Sequence, residues 1–347
     1  MKKQISETQM MRFRLLDVLR LVAALGVVLF HVAATNWGWT SKLFLMVDLF
    51  FVLSGFVLAP SFPKFKEISI LRKFTLKRFL RLAPLPWTTI MFVLAYASLI
   101  VIKQNLIHNP TAPLMSIDLQ SIVLSLLLLQ VFSKDALVLN YPLWSLSAEW
   151  VINIFIAFLS CLFPRRIYQF LLVNLLLFGV IFTSSSFDFE WVNQICRAAL
   201  GISVGILTRQ IFDLRIKFKA HKLHLIFAWL LNLSVVFLNF DFGSYQAIFS
   251  CILFAYLIYT IAEFDIETNF RVPEAVARNC GFLSFGIYVW HAPLSGLVDR
   301  LLEVAQLNNL VFSYLSLVVF SSIATLVSVY FVERPLIQAI KGRLITE

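Results

Sequence analysis

At short intervals the chain repeats an apolar run of about 20 residues, the length a helix needs to cross a bilayer core. Such runs fall at 13–35, 43–60, 84–102, 143–163, 167–185, 192–208, 223–240, 246–263, 281–298 and 310–332. Of the 347 residues, 60% are hydrophobic and 14% charged, and the mean hydropathy is +0.86. A soluble domain carries about a quarter charged residues. No soluble core could hide this much apolar surface, so the solvent is lipid. The expected fold is an all-α integral membrane protein, a bundle of about ten transmembrane helices forming one domain over 1–347.

The net charge of +10 follows the spans. Basic residues collect at the N-terminus, in the loops 61–83 and 209–222, at Arg165 and Arg166, at Arg271 and Arg278, and beyond Arg334; the alternate loops hold only Lys42, Lys103, Lys134 and Arg300. Basic loops face the cytoplasm. The alternation holds if the short apolar run 119–132 does not cross, and it places both termini inside, with 1–12 a cytoplasmic segment and 336–347 a cytoplasmic tail. No interleaving of basic and aromatic residues suggests nucleic acid. Cys161, Cys196, Cys251 and Cys280 are far apart and read as small buried hydrophobes. No metal-ligand set, phosphate loop or dinucleotide fingerprint is present.

Ionisable residues inside membrane spans mark a site or pathway by default. Arg20 and His31 are eleven positions apart on the first span. They share a face and are separated by about 16 Å along the axis. Asp17, three residues before Arg20, is a ready ion partner. Asp48 opens the second span. Ser145, Glu149 and Asn153 recur every four residues on the fourth, and Ser284, Tyr288, His291 and Ser295 form one face of the ninth. With the termini inside, His31, Asp48, Glu149 and His291 fall towards the outside, and Arg20, Arg78 and Arg81 towards the inside. Each also has a plain packing explanation: an ion pair for Asp17 and Arg20, topology anchors for Arg78 and Arg81, and close helix packing for Ser54 and Gly55.

The chain resembles the membrane-bound acyltransferase 3 family. The resemblance rests on LDVLRLVAALGVVLFHV at 16–32, VDLFFVLSGFVLA at 47–59, KRFLRLAPL at 77–85, LWSLSAEW at 143–150, SFGIYVWHAPL at 284–294 and VERPL at 332–336. It implies transfer of an acyl group, often acetyl, from a coenzyme A donor to a carbohydrate hydroxyl, in a bacterial inner membrane. It implies His31 and Glu149 as catalytic, and Arg20, Arg78 and Arg81 as donor-binding. Asp48, Trp144, Ser147 and His291 are then expected at the acceptor, with Asp17, Ser54, Tyr288 and Glu333 in support. No C-terminal esterase-like domain is expected.

The expected partners are the bilayer, acetyl-CoA (or another acyl-CoA) and a carbohydrate acceptor, with no metal. A neutral imidazole at His31 is suited to accept the acceptor hydroxyl's proton. Transfer through an acyl-histidine is the second route. The competing classes are a transporter using the intramembrane charges as a relay, and a non-catalytic scaffold.

Overall fold

The computed structural model describes residues 12–33, 36–64, 67–107, 118–163, scattered helical positions between 170 and 181, and 190–214, 221–238, 242–268, 272–307 and 309–345. Long helices dominate these residues, and no strand occurs among them. In chain order they are α1 (Arg14–Ala33), α2 (Met46–Leu58), α3 (Ile68–Leu82), α4 (Pro84–Ile107), the short α5 (Leu119–Leu126) and α6 (Lys134–Leu137), and α7 (Leu143–Leu162). After them come α8 (Glu190–Asp213), α9 (His221–Phe237), α10 (Gln246–Glu267), α11 (Glu274–Val304), α12 (Leu310–Ser328) and α13 (Arg334–Ile345). A 3₁₀ stretch, Gly38–Leu45, leads into α2, and a π turn, Val329–Glu333, joins α12 to α13.

Among the described residues, eight helical segments are long and apolar enough to cross a membrane, and Lys222–Phe237 is a shorter apolar helix. They account for nine of the ten expected spans; the tenth, 167–185, falls largely outside the described residues, as does nearly all of the segment 1–12. The run 119–132 folds as the eight-residue α5, a turn and a 3₁₀ stretch, Gln130–Phe132. Eight residues rise about 12 Å, too little to cross the bilayer core. Asp118 caps α5 by accepting the Ser121 N–H at 2.9 Å, and its bonding to Ser121 holds the carboxyl below the usual carboxylate range.

Two basic loops are corrected. Most of 61–83 is helical: α3 carries Arg72, Lys73, Lys77, Arg78 and Arg81, and only Ala83 separates it from α4. Leu, Lys and Arg are good helix formers, and the break falls where Pro84 restricts the residue before it. In the second loop, 209–222, α8 runs on to Asp213, so Arg209 is buried. Its Nε donates to Asp213 at 2.9 Å, and its guanidinium lies 5.3–5.8 Å from the ring centroids of Phe13, Phe56 and Phe212.

The chain divides into two compact units, 1–73 with 151–285, and 74–150 with 286–347. In the first, α2 and α8 pack more extensively than any other described pair of helices. A Cβ added at Gly55 would come 2.0 Å from the Ile202 carbonyl, and one at Gly205 2.0 Å from the Val52 carbonyl. Gly201 and Gly205, four residues apart, give α8 the small-residue face that membrane helices use for close approach. In the second unit, Pro293 lies inside α11. Proline donates no N–H to the carbonyl four residues back. That carbonyl, of Val289, accepts instead from Asn140 Nδ2 at 3.0 Å. A proline is tolerated in a membrane helix when a neighbour satisfies the freed group in this way.

Candidate functional site

In the first unit, α1 buries Leu16, Leu19, Ala23 and Val27 on one side, the spacing of an apolar helix stripe. Arg20 and His31 fall on this same side of the helix, between Val27 and the buried Ala24 around its axis. The Arg20 side chain keeps 25% of its surface accessible, and His31 is exposed. Asp17 pairs with Arg20 near the start of α1 as expected: Arg20 Nη1 is 3.6 Å from Oδ1, and Arg12 Nε donates to Oδ2 at 2.8 Å. Gly281 makes room for this carboxylate, since a Cβ there would meet Oδ1 at 2.9 Å. At the other end the Ala33 carbonyl accepts from the Trp37 N–H at 2.9 Å and from Thr40 Oγ1 at 2.9 Å, which closes the last turn of α1 just beyond His31.

Asp48 is fully buried in the first turn of α2, and Arg197 of α8 donates to both its carboxylate oxygens, at 2.6 and 2.9 Å. The close glycine contact between α2 and α8 makes this pairing possible. Ser54 accepts from Asn153 Nδ2 at 3.3 Å. Arg197 was missed in the sequence, although a charge inside the run 192–208 was itself a signal. The Gly201–Gly205 spacing one turn on was a second.

In the second unit, Arg78 Nη2 and Glu149 Oε1 are 2.5 Å apart, with 13% and 18% of their side chains accessible. The sequence placed these two groups towards opposite faces. Because α3 is a helix leading directly into α4, and no surface loop, Arg78 reaches the first third of α7. The depth assignment of this pair is corrected accordingly. Phe79 packs its ring 5.5 Å from that of Trp150 beside the pair. Arg72, Lys73, Lys77 and Arg81 remain exposed on α3. Glu333 ends the π turn, just before α13.

The remaining expected residues are held mostly by bonds to nearby backbone. Tyr288 Oη donates to the Pro142 carbonyl at 2.7 Å and lies 2.5 Å from Ser145 Oγ. Ser147 donates to the Leu128 carbonyl at 2.8 Å and accepts from the Val131 N–H at 3.1 Å, so it holds the turn after α5. His291 is fully buried, and Nδ1–H donates to the Ile287 carbonyl at 3.2 Å. Trp144 is buried at 8% exposure. Cys196 and Cys251 are buried, as their reading as small buried hydrophobes expects, whereas Cys161 and Cys280 are half-buried.

The family model of the acyltransferase domain matches residues 13–334, which takes in α1 to α12. Over 86 residues the chain is 34% identical to "Peptidoglycan O-acetyltransferase OatA" of Listeria monocytogenes, covering 24% of this chain and 13% of that protein. Over 94 residues it is 43% identical to "Protein 2 in picA locus" of Rhizobium radiobacter, covering 26% of this chain and 49% of that protein. The chain thus spans less than two thirds of either relative. No solved structure matches it. The match over nearly the whole length agrees with the motifs read in the sequence and with the all-helical membrane fold: the chain belongs to the acyltransferase 3 family.

Proposed function

We propose that the protein is a membrane O-acyltransferase that moves an acetyl group from acetyl-CoA at the cytoplasmic face to a hydroxyl of an extracytoplasmic or lipid-linked carbohydrate, with both chain termini cytoplasmic. The observation that carries this reading is the accessibility of Arg20 and His31 on the packed side of α1. A guanidinium turned to hydrocarbon at the centre of a span costs at least ~2.5 kcal/mol, and histidines in spans almost always face the bundle interior or a water-filled cavity. Arg20 and His31, accessible on one helix face at opposite ends of a span, are therefore read as facing water and reactants. The family supports acyl transfer, and the likeness to the Listeria peptidoglycan O-acetyltransferase supports a carbohydrate acceptor.

In this mechanism the exposed cations of α3 draw in the donor's phosphates, and Arg20 holds the donor beside α1. The acceptor hydroxyl attacks the thioester carbonyl, and His31 accepts its proton. The carbon–sulfur bond breaks, the acetyl group stays on the acceptor oxygen, and the proton on His31 passes to the departing thiolate. Neutral products result and the imidazole returns to its starting state.

Proteoliposomes supplied with acetyl-labelled acetyl-CoA and a glycan acceptor test the reading. Label covalently attached to the glycan is expected. Counterflow of an unmodified solute with no labelled glycan would instead make the intramembrane charges a transport relay.

A further inference from the structure

The Arg197–Asp48 pair has no part in the proton transfer just described, yet it leads to His31 by a short chain of contacts. Arg197 grips both oxygens of a carboxylate that has no exposed surface. A two-pronged grip fixes the plane of a guanidinium as well as its position. Arg197 Cζ lies over the Phe44 ring, 5.1 Å from the centroid, and Nη2 also donates to the Phe44 carbonyl at 3.3 Å. One group thus holds Phe44 by both ring and backbone. The Phe44 ring meets that of Phe30 at 6.2 Å, and Phe30 meets His31 edge-on at 5.0 Å. His31 is exposed, and Phe30 touches its ring from the packed side of α1.

We propose that Arg197 is a positioning residue for His31, acting through Phe44 and Phe30: the buried fork fixes Phe44, and the aromatic pair aims the imidazole at the acceptor hydroxyl. This rests on His31 as the proton acceptor. A buried ion pair adds little stability over apolar residues of the same volume, so helix stability alone gives small reason for one here. Orientation is a different matter, since a displacement of about 1 Å at a reacting group can lower a rate about 100-fold.

The test is steady-state acetyl transfer by Arg197→Lys, Phe44→Leu and the double variant. Lysine keeps a charge opposite Asp48 but has no fork to reach the Phe44 carbonyl. Each single variant is expected to lower kcat about 10-fold with the apparent KM for acetyl-CoA held within about two-fold. The double variant should lose no more than the worse single, because both changes cut one chain of contacts. Arg209→Lys, on the same helix and with its own carboxylate and ring partners, is the control and should leave kcat unchanged. A wild-type kcat in Phe44→Leu, a rise in KM alone, or a double loss equal to the product of the singles would overturn the proposal. If Arg197→Lys does not fold, Phe44→Leu and Phe30→Leu with their double variant decide by the same criteria. Absence of transfer by the wild-type protein would defeat the functional reading and leave the positioning role to a second readout. That readout is the rate at which diethyl pyrocarbonate modifies His31, followed by mass spectrometry: Phe44→Leu should change it at least about three-fold and Arg209→Lys not at all, and equal rates in wild type and Phe44→Leu would sink the positioning role.

Discussion

Asp48 and Glu149 each meet an arginine carried by another helix, Arg197 for the first and Arg78 for the second. Spacing along one helix cannot reveal such partners; Asp48 and Arg197 are 149 residues apart. What the sequence did reveal were charges that share a helix, and Asp17 with Arg20 is the pair that it placed correctly. For Arg78 and Glu149, removing one partner takes from the other a close ion pair in a low-dielectric setting. Glu149→Ala should therefore destabilise the detergent-solubilised protein by ~3–5 kcal/mol. Adding Arg78→Met should restore most of the melting temperature. Acetyl transfer should stay lost in this double variant if the pair takes part in the reaction; recovery of transfer together with melting temperature would reduce it to a clamp between α3 and α7.

At the scale of elements, run length was enough to place the long helices, because a span must be about 20 residues whatever its partners. Basic content misled for α3, since the same lysines and arginines mark a cytoplasmic loop and suit a helix equally well. The small-residue contact between α2 and α8 was half visible, in Ser54–Gly55, and its other half, Gly201 and Gly205, went unweighed. The repair of α11 could not be read at all: Pro293 announces a freed carbonyl, but nothing local names Asn140 as the group that satisfies it. The repair predicts a coupling. Asn140→Leu should cost ~1–3 kcal/mol by leaving the Val289 carbonyl unsatisfied. In a Pro293→Ala background, where residue 293 regains its N–H, the same change should cost clearly less. Equal costs in both backgrounds, measured by denaturant unfolding in detergent, would refute the repair.

At the scale of the molecule, lipid as solvent follows from composition alone, and the family from the order of its motifs along a chain of many spans. The way charges are divided between helices, in contrast, depends on packing that a single sequence does not display. The claim on which the function depends is that His31, accessible at the end of the first span, accepts the proton in acyl transfer. Its direct test is the rate of acetyl transfer by purified His31→Gln, a change that keeps a polar side chain but removes the base. A fall in kcat of about 100-fold or more is expected, with unchanged melting temperature; transfer within two-fold of wild type by the folded variant would contradict the claim.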